Sequence, residues 1–361
     1  MRSARDDPAR PINVGVIGLG YWGPNLLRVL ADDRSVEIRW LCDTDAERME
    51  RSRRRYPLAR STRQVEDVLA DPEVDAVVIA TPVCTHFELG AASLAAGKHT
   101  FIEKPLAPSS ALADDLIARA DRHDLVLMCG HTFLYSPPVR AVKRMVEAGT
   151  LGELYFVSSS RVNLGPYRGD VSVIWDLGPH DFSILLHWFG EAPVSVMATG
   201  RDALASGIAD VAFVAMTFPG GIVANVELSW LAPSKLRRIV LVGSEKMVVY
   251  DDGAPEPIRV FDRGIVLGEP ESFGQYHLSY RSGDIVCPQL ETCEPLVAEL
   301  ADFVRAVRED DRLRDQARLA RDVVRVSEAA EHSLTQGGVA VRLGPGSPAE
   351  PPLAPVEEAA A

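Results

Sequence analysis

The sequence predicts an α/β protein of two domains. The first is an N-terminal α/β domain with a doubly wound parallel sheet. The second is a C-terminal α+β domain with an open, mostly antiparallel sheet. Three observations predict this. Short β-rich runs alternate with helical stretches as far as Gly130, a glycine-rich turn joins the first strand to the first helix, and longer strand-like runs dominate beyond Gly130.

Ile12–Ile17 reads as a strand, followed by a helix over Trp22–Leu30, a strand at Val36–Cys42 and a charged helix at Asp45–Arg54. Val74–Ala80, VDAVVIA, is nearly all apolar, as a strand covered on both faces of a parallel sheet has to be. Helix at Thr85–Ala96, strand at His99–Ile102, helix at Ala111–Ala120 and strand at Leu125–Cys129 continue the alternation. The second domain opens with a helix over Pro138–Ala148. Strands are expected at Gly152–Val162, Val194–Gly200, Val211–Thr217, Ile222–Trp230, Arg237–Val242 and Met247–Tyr250. Alternation such as VANVELSW buries one face and leaves the other wet or covered by a partner. A helical interruption near Asp181–Trp188 and helices at Glu294–Arg308 and Asp315–Gln336 complete the series. The expected division is a flexible N-terminus at 1–11, an α/β domain at 12–130, a mostly antiparallel sheet domain at 131–343 and a disordered Pro-, Ala- and Glu-rich tail at 344–361.

With 38 basic and 51 acidic side chains among 361 residues, the formal charge is −13, which disfavours nucleic acid and anionic membrane surfaces as partners. No apolar run reaches the roughly 18 residues of a membrane span, and the charged start MRSARDDPARP does not resemble a signal peptide. Five scattered cysteines without a CxxC pair argue against a disulfide framework and a structural zinc site. A cytoplasmic protein with reduced thiols and no metal is expected.

Gly18-Leu19-Gly20-Tyr21-Trp22-Gly23 is a G-x-G-x-x-G placed between a strand and a helix. Gly18 suits a tight turn, Gly20 a close approach to a diphosphate, and Gly23 close helix–strand packing; Tyr21 and Trp22 complete the loop. Asp43 stands 20 residues after Gly23 at a strand end, where a carboxylate can accept from ribose hydroxyls and repel a 2′-phosphate. NAD is therefore expected, with NADP disfavoured by Asp43. Thr81-Pro82 and Glu103-Lys104 follow two further strands and would face the same crevice at the carboxyl ends of the sheet. His86 is a further candidate cofactor contact, although a histidine there can equally be a helix-start residue.

Asp176 and His180 are spaced four apart in WDLGPHD and share a helix face if a helix starts near Asp176. Histidine suits removal of a hydroxyl proton near neutral pH, with a carboxylate to orient the ring or the substrate. A capping aspartate beside a packed histidine reads from the same spacing. A metal site would need a third ligand, which the motif lacks.

Taken together, GVIGLGYWG, Asp43, Ala80–Pro82, EKP at Glu103–Pro105 and DLGPHD at Asp176–Asp181 make the chain resemble the Gfo/Idh/MocA family, the glucose–fructose oxidoreductase and inositol dehydrogenase type, from about Ile12 to Leu343. The resemblance implies an NAD-binding Rossmann domain at 12–130, a substrate-binding and oligomerisation domain with an open sheet at 131–343, and NAD(P)-dependent oxidation or reduction of sugars and cyclitols. It also implies a Lys104 that touches nicotinamide ribose and substrate hydroxyl, Asp176 as orienting group and His180 as proton acceptor, with Lys104 the alternative base. A finer similarity, to nucleotide-sugar 3-dehydrogenases and deoxysugar 3-ketoreductases, makes Tyr135, Arg161, Asn163 and Tyr167 candidate substrate contacts, with Arg140, Arg237 and Arg238 available to a diphosphate. Alternatives are an inositol or cyclitol dehydrogenase, an NAD-dependent redox-assisted glycosidase, and a non-catalytic NAD-binding sensor. The resemblance implies a homodimer or homotetramer built through the C-terminal sheet.

Overall fold

The computed structural model describes residues 10–165, 171–204, 207–267 and 278–344. They form two compact units, Met1–Ser136 with Cys293–Val324, and Pro137–Thr292 with Arg325–Ala361.

In the first unit the chain runs β1 (Ile12–Ile17), α1 (Gly23–Asp32), β2 (Val36–Cys42), α2 (Ala46–Arg55), β3 (Arg60–Thr62), α3 (Val65–Ala70), β4 (Ala76–Ile79), α4 (His86–Ala95), β5 (His99–Glu103), α5 (Ser110–His123) and β6 (Leu127–Gly130). The strands form one parallel sheet in the order β3-β2-β1-β4-β5-β6. The order reverses between β1 and β4, the position at which open α/β sheets carry their ligands. Both strands are buried along their whole length, as runs covered by helices on two faces must be.

The second unit contains α6 (Pro137–Glu147), β7 (Leu154–Leu164), α7 (Val173–Phe189), β8 (Ser195–Arg201), β9 (Val211–Thr217), β10 (Val223–Ser229), β11 (Leu231–Gly243), β12 (Met247–Asp251), β13 (Ile258–Leu267) and β14 (Leu278–Val286). α8 (Pro295–Glu309) follows in the first unit, α9 (Arg314–Thr335) runs from the first unit into the second, and β15 (Val341–Arg342) closes the series. The second sheet has the order β14-β13-β12-β11-β7-β10-β9-β8-β15 and is antiparallel except where β10 runs parallel to β7. Its strands alternate as expected. Ala224, Val226 and Leu228 of β10 are buried, while Val223 and Asn225 face outward.

Three expectations change. The division falls at Ser136/Pro137 rather than at Gly130, and Cys293–Val324 returns to the first unit, so 131–343 is not one body. The reason is α8, whose Leu296, Leu300, Phe303, Val304 and Val307 join the core that holds Phe101 and Met128. The helix expected near Asp181–Trp188 begins earlier, at Val173, with Pro179 inside it. The short β3, α3 and β15 and the charge-interrupted β13 and β14 were not expected at all. Of the N-terminal segment 1–11, Arg10 and Pro11 are described, and Arg10 pairs with Asp75 at 2.6 Å; the tail from 345 lies outside the described residues.

Candidate active site

The glycine loop is built by close backbone contacts. Gly18 has φ +93°, and a Cβ there would stand 2.5 Å from the Ala80 carbonyl oxygen, so only glycine lets the ends of β1 and β4 meet. A Cβ on Gly23 would stand 2.2 Å from the Gly18 carbonyl oxygen. At Gly20 the same test meets only the Arg48 guanidinium, 3.6 Å away. α1 starts beside this open position with no side-chain cap on its N-terminal N–H groups, an arrangement that suits an anion. A groove of about 320 Å³ continues from Gly20 between α1 and α2, lined by Pro24, Leu27, Arg48, Arg51, Arg55 and Tyr56. Its arginines concentrate positive charge on an acidic chain. Tyr21 is 84% exposed and Trp22 packs edge-on against it, which leaves both rings at the surface of the loop.

Asp43 is buried, and its carboxylate already accepts from two backbone groups, Leu19 N–H at 2.6 Å and Asp45 N–H at 2.7 Å. It therefore clamps the glycine loop to the end of β2, a job the sequence did not suggest. A carboxylate has about four acceptor sites, so room for a ribose hydroxyl is left.

His86 is also structural. One ring nitrogen lies 2.8 Å from the Pro105 carbonyl oxygen and the other 2.9 Å from that of Thr81, so the ring ties the end of β4 to the segment after β5. Burial pulls its pKa below the ordinary histidine value. With both nitrogens at backbone carbonyls, His86 braces the crevice, which differs from the cofactor contact expected. Thr81 and Pro82 stand beside it, and the Thr85 hydroxyl bonds that of Thr81 at 2.7 Å.

Lys104 follows β5 and is half-buried, and the Lys104–Pro105 peptide is cis. The Lys104 charge acts on His86, Glu103, Cys129 and His131. Glu103 is buried, accepts from the Lys104 N–H at 3.3 Å, and is pushed up to about 7 by burial.

In the second unit Asp176 and His180 both lie on α7 and are half-buried, one helical turn apart. The Trp230 indole N–H donates to Asp176 Oδ2 at 3.0 Å, so a residue that sequence reasoning placed only in a strand orients the carboxyl. α7 is anchored to β7 by Asp181, which accepts from the Ser159 hydroxyl at 2.7 Å and pairs with Arg161. Arg161 is thus buried with a structural partner, contrary to the expectation of a substrate contact. Tyr135, in the first unit, is likewise buried, with its hydroxyl 2.6 Å from Asp302 and 3.1 Å from Gln316. Asn163 is half-buried near the end of β7, and Tyr167 lies outside the described residues. Arg237 pairs with Asp252 at 3.2 Å, and Arg140 and Arg238 are exposed. Among the described residues no group of three His, Cys, Asp or Glu is placed to hold a metal, and no helix is long and apolar enough to cross a membrane.

Residues 12–131 match the family model described as an oxidoreductase family with an NAD-binding Rossmann fold, and residues 139–249 match the GFO/IDH/MocA C-terminal domain. The chain is 32% identical over 300 residues to the UDP-N-acetylglucosamine 3-dehydrogenase of Acidithiobacillus ferrooxidans, spanning 82% of this chain and 88% of that protein. It is 26% identical over 252 residues to the myo-inositol 2-dehydrogenase of Thermotoga maritima, spanning 67% and 75%. Among solved structures, GenD2 from gentamicin A biosynthesis in complex with NAD superposes with a TM-score of 0.76 at 25% identity, covering 96% of this chain and 99% of that one.

Proposed function

This chain belongs to the Gfo/Idh/MocA family of oxidoreductases, and on that premise we propose that it is an NAD-dependent dehydrogenase or reductase for a secondary hydroxyl or ketone of a nucleotide sugar, at the 3-position. The observation that carries the reading is the Asp176–His180 pair on α7, with Asp176 held by Trp230. A ring nitrogen of His180 takes the hydroxyl proton, and Asp176 orients the substrate. Lys104, beside the cofactor crevice, is the group that polarises the oxygen and the alternative base. Gly18, Gly20, Gly23 and the start of α1 fit a dinucleotide diphosphate. When bound, the nicotinamide supplies the redox equivalent.

NAD rather than NADP is proposed because the Asp43 carboxylate closes β2 beside the loop. The similarity to the UDP-N-acetylglucosamine enzyme favours a nucleotide sugar, and that to the myo-inositol enzyme keeps a cyclitol as the second reading. We place the protein in the cytoplasm as a homo-oligomer. Phe156, Met197, Phe213 and Val223, exposed on the outward face of the second sheet, support assembly through that face.

The test is a panel of UDP- and dTDP-sugars, free sugars and inositols with NAD and NADP, read by NADH or NADPH absorbance. Turnover confined to free cyclitols would refute the nucleotide-sugar reading. NAD binding without turnover across the panel would favour a sensor, and aglycone release without net NADH a glycosidase. Separate H180A and K104A variants assign the base: the residue whose loss leaves turnover near wild type is not it.

A further inference from the structure

Behind Lys104 the first unit buries a cluster of titratable groups that the proposed chemistry does not use. Glu103 ends β5 and Glu299 comes from α8, at 7% and 0% exposure, and Cys129 and His131 flank the end of β6. The Glu103 carboxylate lies over Gly130, where a Cβ would stand 3.3 Å from its Oε2. Glu299 Oε2 accepts from the Thr132 hydroxyl at 2.7 Å. Glu103 Oε1, Glu299 Oε1 and both ring nitrogens of His131 meet no hydrogen-bond partner among the described residues.

The charges in this cluster do not balance if both carboxyls ionise. Lys104 is the cation whose charge acts on Glu103, Cys129 and His131, whereas the charge acting on Glu299 is that of Glu103. A second buried carboxylate facing one ammonium would cost about several kcal/mol in lost solvation. The Lys104 N–H and charge favour the ionised form of Glu103, which burial pushes up to about 7, so of the two carboxyls Glu103 is the one that ionises first. Glu299, fully buried and opposed by that anion, keeps its proton. His131, pushed down to about 3 by burial, is neutral and adds no positive charge. The unmet atoms of Glu103, His131 and Glu299 match the roughly two to four polar partners that a buried bridging water needs.

We infer that Glu299 is a protonated carboxylic acid whose O–H, through a bridging water, supports the Glu103 carboxylate beside Lys104, which makes Glu299 a positioning residue for Lys104. The protonation follows from this cluster alone; the positioning role rests on the function proposed for Lys104.

Full-length wild type, E299Q and E299L distinguish the two parts. A buried acid that stays protonated when folded binds its proton more tightly than the unfolded chain does. Its contribution is complete below the unfolded value of about 4.3 and is lost as pH rises. The Tm of E299Q should therefore match wild type near pH 5 and gain on it steadily toward about pH 9, with no ligand present. A gap that stays constant, or a Gln variant less stable at every pH, overturns the protonated assignment. In turnover of UDP-N-acetylglucosamine with NAD, E299L should move the acid limb of the pH profile up by about one unit, a tenfold loss on that side, because Glu103 loses its donor. E299Q should restore the limb. An acid limb unmoved in E299L overturns the positioning role. Absence of turnover in wild type counts against the proposed function instead, and the stability comparison still decides whether Glu299 holds its proton.

Discussion

Replacing Gly20 and Gly23 separately by alanine should divide cofactor binding from folding. At Gly23 the added Cβ would lie 2.2 Å from the Gly18 carbonyl oxygen and 3.1 Å from its carbon, both backbone atoms of a turn pinned by Gly18 N–H to Cys42 O at 2.9 Å. Overpacking commonly costs about 1–3 kcal/mol, and a backbone neighbour puts this site at the upper end. The better helix propensity of alanine offsets at most about 1 kcal/mol of that, leaving a loss of about 2 kcal/mol. For a unit of this size each kcal/mol moves Tm by about 2–4 °C, so a fall of about 4–8 °C is expected. At Gly20 the Cβ meets only a flexible guanidinium at 3.6 Å, and the residue is not in the left-handed region. G20A should melt within about 0.5 kcal/mol of wild type. The methyl group would occupy the place where a diphosphate approaches the backbone, so NAD affinity should fall at least tenfold, about 1.4 kcal/mol. Differential scanning calorimetry and isothermal titration with NAD measure both quantities. G20A binding NAD like wild type would refute the placement of the diphosphate over Gly20, and G23A melting like wild type would refute the steric argument.

W230F keeps an aromatic side chain but removes the indole N–H that donates to Asp176 Oδ2 at 3.0 Å; at about 1.5–3 kcal/mol for a hydrogen bond to a carboxylate, kcat/KM should drop by ten- to a hundredfold, and an unchanged value would show that Trp230 does not orient Asp176. R161M leaves the Asp181 carboxylate buried without its cation, with only the Ser159 hydroxyl bond remaining, each side chain of the pair being 2% exposed, and should cost about 3–5 kcal/mol in urea unfolding; the R161M/D181L double variant should recover much of it, and a double variant no better than the single would argue against the pairing. His131 is held down to about 3, below the unfolded value of about 6.5, so its contribution is complete above that value and is lost as pH falls toward 3, at up to about 1.4 kcal/mol per unit. His187, lowered to about 4, and His86 act in the same direction. The acid side of the Tm profile should flatten in H131N, and an unchanged slope would refute the assignment.

The parallel sheet was legible because its buried strands are short apolar runs punctuated by glycine, and β1 and β2 fall on the very residues expected, as does β9 in the second sheet. Val173–Trp175 is apolar and helical, but Gly178 and Pro179 interrupt the pattern that would have announced the first turns of α7. Pro179 removes the N–H that the Trp175 carbonyl would otherwise receive, yet packing of Phe182, Leu185 and Leu186 holds the helix through it. β3, RST, has too few residues to show any period, and β14, LSYRSGDIV, carries charges that mask its alternation. At the candidate site, residue types were legible and partners were not. Asp43, His86 and Arg161 all have the chemistry expected of them, but neighbours distant in sequence decide how much of a polar group's bonding the fold takes and how much is left for a ligand. For these three the neighbours are the Leu19 N–H, the Pro105 carbonyl and Asp181.

The return of Cys293–Val324 to the first unit follows the same rule, with one trace that the sequence does hold. α8 reads PLVAELADFVRAVRE, and its buried stripe of Leu296, Leu300, Phe303 and Val307 fits any core that can receive it. Only the structure shows which, through the edge-on contact of Phe303 with Phe101 at 5.7 Å. Glu299 lies on that stripe, one residue before Leu300 and four before Phe303, and is fully buried with them. A carboxyl in the apolar stripe of an amphipathic helix has no solvent to ionise into. Its presence argues for a polar partner on the receiving surface, and that surface presents Thr132 and Glu103. The acid that looked like a lapse in the pattern of α8 therefore adds a polar tie, through the Thr132 hydroxyl, to the apolar packing that brings this distant segment to the first unit.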